Sequence, residues 1–349
     1  MLDKLKYIQD TFKDISFDES KINSIYAKKD LNESNFTIKL LSIIGGFFSS
    51  FALVIFIAIS GIWTSGNLML FFGLLSILFA VLISIKTTNI LLDTFSISTY
   101  IIGIMMLVFG MQNLKIPVNN TIYTILIIGI ITLLLNPDFV FSFIASLIIQ
   151  GSILFFIFYN KIEGTLAYYI VINTILLVLL FFKEAYFLQH KKLNKLYYPF
   201  KMAIIVAYIF GLSLLTFKNF VLMDWLNWLV LTFGIGILFL ITVYKIVKTT
   251  SITNKKILIF IYIASFLIAM FSYYTPTIIG GLIPIILGFY QNNKVVFILG
   301  VLSFIAFTGM YYYNLNETLL FKSVLLILIG SLFLVSYLII SKNNFIEKI

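Results

Sequence analysis

Residues 139–159 read FVFSFIASLIIQGSILFFIFY, a run of 21 residues without a charged side chain. An α-helix rises about 1.5 Å per residue, so a run of this length crosses the roughly 30 Å of hydrocarbon in a bilayer. A strand in lipid would need a closed barrel, whose strands alternate polar and apolar residues, and this run does not alternate. The stretch therefore predicts a transmembrane helix.

Segments of this kind recur along the whole chain. Of its 349 residues, 61% are hydrophobic and 11% are charged, whereas soluble domains are about half apolar and a quarter charged. We therefore predict an all-α polytopic membrane protein of about 12 helices. The count falls to ten if two short segments, 121–135 and 277–290, are tilted, re-entrant or half-spanning. The predicted spans are residues 40–60, 67–85, 90–111, 121–135, 139–159, 165–182, 199–217, 226–247, 257–273, 277–290, 295–313 and 319–341.

The chain divides by composition into three regions. Residues 1–39 form a charge-rich leader, residues 40–341 the membrane domain, and residues 342–349 a short tail. Helical spacing of apolar residues in the leader, as in Leu5, Ile8 and Phe12, predicts a helical cap on the cytoplasmic face. A helix that binds a partner protein is the alternative.

Lysine positions predict the orientation. All 24 basic residues are lysine, and the net charge is +10. If the amino terminus is cytoplasmic, only Lys115, Lys161, Lys218 and Lys322 fall outside, and the other 20 fall inside. Lysine gathers on the cytoplasmic side of membrane proteins. We therefore expect an even number of spans with both termini cytoplasmic, and we expect no nucleic-acid partner.

Catalytic and metal-ligating residues are scarce. The chain has no cysteine and one histidine, His190, which is predicted to lie in a lysine-rich inner loop. The zinc-hydrolase, phosphate-loop and serine-hydrolase motifs are absent from the sequence. No cofactor and no metal site is predicted, and the sequence favours a protein that is not an enzyme.

Five polar positions are the candidates for a functional role. Asp93 and Asp224 lie near predicted span ends, and Lys322 flanks the last predicted span. Gln150 and Asn173 are predicted to lie inside spans, where they either join helices or line a cavity for a ligand. An interfacial or packing role is the alternative for each of the five.

Two further patterns concern helix geometry. Gly45 and Ser49 are four residues apart in the first predicted span, a spacing that lets helices approach closely, either within the bundle or in a dimer. Pro284 lies inside a predicted span, where it would free a backbone carbonyl and bend the helix. Broken helices line the sites of transporters, although one proline is a weak signal.

Several short stretches together resemble one bacterial family, the domain of unknown function 4401. They are Gly61-Ile62-Trp63, residues 71–75 (FFGLL), 136–143 (NPDFVFSF), 287–294 (LGFYQNNK), 311–315 (YYYNL) and 318–323 (TLLFKS). The resemblance covers nearly all of the chain after the leader. It implies a multi-span protein of the bacterial inner membrane, often encoded beside a second multi-span protein and a small membrane-anchored one. It supplies no catalytic residues.

These observations favour a non-catalytic subunit of a membrane complex. The expected partners are the lipid bilayer and membrane proteins encoded nearby. The alternatives are a transporter or flippase for an apolar or lipid-like solute and, least favoured, a membrane-embedded enzyme.

Overall fold

The computed structural model describes residues 44–45, 48–49, 51–52, 55–57, 59–86, 90–135, 138–216, 224–250, 255–314 and 327. The regular secondary structure in this part of the chain is helical, as predicted. The chain forms two compact units, residues 1–121 and 122–349, and each is considered by itself.

The α-helices are numbered here in chain order from residue 66. They are α1 Gly66–Lys86, α2 Ile90–Asn113, α3 Val118–Leu135, α4 Phe139–Tyr159, α5 Leu166–Phe182, α6 Glu184–Gln189, α7 Lys191–Thr216, α8 Trp225–Thr249, α9 Lys255–Met270, α10 Pro276–Tyr290 and α11 Lys294–Asn314. Short 3-10 turns lie at Ile62–Thr64, Glu163–Thr165 and Phe271–Tyr273.

Ten of the predicted spans coincide with these helices. In the described part of the chain, eight helices are long and apolar enough to cross a membrane: α1 to α5, α7, α8 and α11. The predicted short segment 121–135 belongs to an 18-residue helix that begins at Val118, so its length suffices. Helices α9 and α10 are apolar but have only 16 and 15 residues. The leader and the tail lie outside the described residues, as does the last predicted span except Ile327.

The start of α7 differs from the prediction. A proline at position 199 favoured a span that begins there, but α7 begins at Lys191 and contains Pro199. The residues before the proline include several lysines and leucines, which are good helix formers in water. The apolar pattern marks where a helix enters lipid, and the helix itself extends further.

In the first unit, α1 and α2 pack as an antiparallel hairpin on facing glycines. A Cβ atom on Gly73 would lie 3.0 Å from the Gly103 carbonyl oxygen, and one on Gly103 would lie 2.9 Å from the Gly73 carbonyl oxygen. Gly66 and Gly110 face each other in the same way, at 3.1 Å. These backbones are therefore in direct contact, as small residues allow in membrane helices.

In the second unit, the buried core lies among α5, α7, α8 and α10. Its fully buried side chains are Ile170 and Leu177 of α5, Ile204, Ile205 and Leu212 of α7, Leu231 and Ile235 of α8, and Ile283 and Leu287 of α10. Of the eight long apolar helices, α5 and α7 have the largest buried share. Polar groups on the inward faces of these two helices are therefore enclosed by protein.

Candidate functional site

A buried lysine is the centre of the candidate site. Lys201 lies about three turns into α7, and only 1% of its surface is exposed. Its ammonium group donates hydrogen bonds to the Gln291 side-chain oxygen at 2.9 Å and to the Tyr197 hydroxyl at 3.1 Å. Since ionisable groups inside membrane helices are costly and often functional, this lysine is the first candidate in the described structure.

Gln291 joins the lysine to the end of α5. Its amide nitrogen donates to the Phe181 carbonyl at 2.8 Å and to the Glu184 carboxylate at 2.6 Å. Its oxygen accepts from Lys201, so both ends of the amide are used. Glu184 also forms an ion pair with Lys201, with 3.9 Å between the charged atoms, and its side chain is about one-third exposed.

Aromatic rings enclose the ammonium group. It lies 4.5 Å from the centre of the Phe181 ring, 4.8 Å from that of Tyr197 and 5.1 Å from that of Tyr198. Ring faces attract a cation, and the attraction grows when water is excluded. The hydrogen bonds, the Glu184 carboxylate and the ring faces therefore stabilise the charge of Lys201, although the side chain has almost no contact with solvent.

The carboxyl ends of two helices add partial negative charge near Lys201. Tyr197 donates to the carbonyl of Leu180 at 2.9 Å, and Gln291 donates to that of Phe181. Both carbonyls belong to the last turn of α5, and Gln291 directly follows the last residue of α10. The carboxyl end of a helix carries partial negative charge, which stabilises a nearby cation. We call Lys201, Glu184, Gln291, Tyr197 and Phe181 the lysine cluster.

A second polar contact explains Pro284. Proline has no N–H group, so the carbonyl four residues earlier, that of Gly280, lacks its helical partner. The Tyr208 hydroxyl of α7 donates to this carbonyl at 3.0 Å. A Cβ atom on residue 280 would lie only 2.9 Å from that hydroxyl oxygen, so glycine is needed for the approach. The proline therefore creates an acceptor that the protein itself satisfies.

The structure brings together two of the predicted site residues. The Asn173 amide of α5 donates to the Gln150 side-chain oxygen of α4 at 3.4 Å and to its own helix at the Tyr169 carbonyl, at 2.9 Å. Asn173 and Tyr169 are 2% and 5% exposed. In the part of the chain that the structure describes, the Asn173 side-chain oxygen and the Tyr169 hydroxyl have no hydrogen-bond partner of normal geometry. This mid-helix pair is thus incompletely satisfied, in contrast to the lysine cluster.

The other predicted candidates do not join these groups. Asp93 lies half-exposed in the first turn of α2. Asp224 is exposed at the start of α8, and its side chain makes no capping hydrogen bond. Lys322 lies outside the described residues. Within the described part of the chain, no group of three or more His, Asp or Glu side chains is placed to hold a metal ion.

The lysine cluster was missed by the sequence analysis, which assigned Lys201 to the cytoplasmic side by charge alone. One signal was present, because Lys201 falls inside the predicted span 199–217. Tyr197 lies four residues before it, on the same helical face. Gln291, however, is 90 residues away in sequence, and nothing local in the sequence indicates that pairing.

Comparison with known proteins gives a family and no described activity. No curated protein and no solved structure matches the chain. The family model of a domain of unknown function, DUF4401, matches residues 35–343, which confirms the resemblance. Since the match covers nearly the whole chain, the protein belongs to the DUF4401 family of domains of unknown function.

Proposed function

We propose that the protein is a multi-span component of the bacterial cytoplasmic membrane that serves as a non-catalytic subunit of a membrane complex. In this proposal it has about twelve spans, with both termini in the cytoplasm. The apolar helices support membrane insertion, and the distribution of the 24 lysines supports the orientation.

One observation carries the subunit role. Two polar groups in the α5–α7–α10 core would be costly to bury without a partner, the Lys201 ammonium and the Gly280 carbonyl. Both form hydrogen bonds with the protein's own side chains. An ion or substrate would have to displace Gln291, Tyr197 or Tyr208 to reach them. Such contacts fix the helices against one another, which suits a scaffold better than a moving transporter.

Purification from the native host tests this role. The tagged full-length protein is extracted into nanodiscs, and the bound proteins are identified and quantified by mass spectrometry. We expect at least one other membrane protein at a fixed ratio to the chain, and absent from a tagged unrelated multi-span protein. Recovery of the chain alone, at several extraction conditions and at its native expression level, would contradict the subunit role.

A transporter is the second candidate, because the Asn173 oxygen and the Tyr169 hydroxyl are buried and, among the described residues, neither has a hydrogen-bond partner of normal geometry. Mid-span polar groups of this kind can bind a polar part of a solute. Vesicles that contain the protein would then move a labelled lipid or solute faster than empty vesicles. Asn173→Leu would abolish that flux. Thr242→Val would not, because among the described residues the buried Thr242 hydroxyl bonds to its own helix, at the Leu238 carbonyl.

A further inference from the structure

An open groove lies at the turn between α10 and α11. Its volume is about 570 Å³, a size typical of pockets that bind small molecules. One side of the groove is apolar and is formed by Phe289, Phe297 and Ile298. Phe289 is 80% exposed and Ile298 is 55% exposed. Exposure of this kind is favourable only where the surroundings are apolar, as next to an acyl chain.

The other end of the groove is polar and positively charged. Asn292, Asn293 and Lys294 line it. Lys294 is exposed, and the first turn of α11 contains no acidic residue that would neutralise it. No ion pair joins Lys294 to another residue in the described part of the chain. The positive charge is therefore available to an external anion.

A second exposed lysine lies on the helix that contacts this polar end. Asn293 donates to the Tyr198 hydroxyl of α7 at 3.0 Å, so this part of α7 borders the turn. The exposed Lys195 is three residues before Tyr198, on the same helical face. Lys195 thus lies about one helical turn from the contact between α7 and Asn293. A ligand that fits both ends has a negative group near these lysines and a hydrocarbon chain along α11.

We propose that this groove binds an anionic phospholipid, with its headgroup at Lys294 and Lys195 and an acyl chain along Phe297 and Ile298. The turn follows the end of one apolar helix and precedes another, so insertion of both helices would bring it to the level of the headgroups. Negative lipids concentrate in the cytoplasmic leaflet and attract lysines near its surface. The inference rests on membrane insertion and on the proposed cytoplasmic position of this turn, and it is independent of the choice between subunit and transporter.

Lipid retention by the purified full-length protein tests the inference. The protein is reconstituted with equal amounts of phosphatidylglycerol and phosphatidylcholine, re-extracted, and its retained lipids are quantified by native mass spectrometry. We expect preferential retention of phosphatidylglycerol. Lys294→Gln and Lys195→Gln each reduce that preference about fivefold, the effect of one lysine near an anionic surface. Lys248→Gln, an exposed lysine in the last turn of α8, leaves it unchanged.

Two further arms separate the alternatives. Phe297→Ala is expected to reduce retention of the anionic lipid, whereas glycerol phosphate without acyl chains does not compete for the site. Equal retention of both lipids by the wild-type protein would overturn the proposal. So would a preference that Lys294→Gln and Lys195→Gln leave intact, the result expected if the lipid sits elsewhere or another protein segment fills the groove. If one of the two lysine variants fails to fold, the other one decides between these outcomes.

Discussion

Hydrogen bonds, aromatic rings and helix ends together stabilise the buried Lys201. Its side-chain stem and its charge contribute separately to stability, so substitutions that remove one or both should have different effects. Its stem is packed in the core, while its charge is paired with Glu184, whose side chain reaches solvent. Loss of the stem leaves a cavity, and loss of the charge leaves the Gln291 oxygen without its donor. Residue size and charge can therefore be separated by experiment.

Lys201→Ala is expected to lower the free energy of unfolding by about 2–5 kcal/mol, since it creates a cavity and removes two hydrogen bonds. Lys201→Met keeps the stem volume and should lower it by about 1–2 kcal/mol. Thermal or detergent-induced unfolding of the purified protein measures both. Lys248→Ala, at an exposed lysine, is the control and should change it by less than about 0.5 kcal/mol. Equal effects of all three would mean that Lys201 is not buried.

Tyr208 and Pro284 form a pair whose coupling can be measured. Tyr208→Phe leaves the Gly280 carbonyl unsatisfied and should cost about 1–2 kcal/mol of stability. In a Pro284→Ala background residue 284 regains its N–H group, so the same change should cost little. A double-mutant cycle measures this difference. Tyr244→Phe, on an exposed ring of α8, controls for loss of a hydroxyl. Additive effects would show that the hydroxyl does not serve the freed carbonyl.

For each of these side-chain contacts, the sequence predicts one of the two partners. The freed carbonyl follows from the missing N–H of Pro284, and the mid-span position of Asn173 follows from hydropathy. Their partners lie on other helices, Tyr208 being 72 residues from Gly280 and Gln150 23 residues from Asn173. Single-sequence periodicity contains no information about which helix faces which. Those pairings could not be predicted.

At the scale of elements, the hairpin of α1 and α2 depends on residues with small side chains or none. Gly66, Gly73 and Ala80 are seven apart, as are Ser96, Gly103 and Gly110. The contacts of Gly73 with Gly103 and of Gly66 with Gly110 share one antiparallel register. A repeat of seven returns to nearly the same helical face after two turns. The two helices thus present matching small surfaces.

Gly103→Ala should separate these helices and destabilise the hairpin by about 1–3 kcal/mol, because the new Cβ meets the Gly73 carbonyl and the Ile77 side chain within 3 Å. Gly151→Ala in α4 is the matched control, since a Cβ there meets nothing within 4 Å. Thermal unfolding of both variants in the same detergent gives the comparison. A Gly103→Ala protein as stable as Gly151→Ala would argue against the close contact.

The positions of the spans along the chain were predictable from sequence. The contacts between neighbouring helices were only partly recognised. Hydrocarbon thickness imposes a minimum apolar length, and that physical limit places ten predicted spans on helices. The spacing of Gly45 and Ser49, four apart, indicated a close helix contact, whereas the two sevenfold series in α1 and α2 were not recognised. Matching series in consecutive segments predict an antiparallel seam, so that contact was accessible from sequence. The start of α7 was not, because helix continues beyond the apolar run.

At the scale of the whole molecule, the proposed topology places the turn at Lys161 outside and the turn at Asn292 inside. Five predicted spans separate them, including the 15-residue α10. The chain has no cysteine, so single-cysteine variants label unambiguously. Both positions are exposed and have left-handed backbone angles, φ 57° and 53°, which makes Lys161→Cys and Asn292→Cys a matched pair.

A thiol reagent that cannot cross membranes should label Lys161→Cys in intact spheroplasts and Asn292→Cys only after they are permeabilised. Labelling of both residues from outside would show that one of the five intervening predicted spans does not cross, and α10 is the shortest of them. The reverse pattern would place both termini on the outside. Either outcome would refute the orientation derived from lysine positions.

The lysine cluster also has a consequence for biogenesis. Tyr197 and Glu184 precede Lys201 in the chain, but Gln291 is synthesised 90 residues later. At ordinary rates of translation this interval is roughly 5–20 s. During it, the newly inserted lysine has the tyrosine and the carboxylate as neighbours and lacks its amide acceptor. The insertion machinery must therefore keep Lys201 in a polar environment until Gln291 has been synthesised and inserted.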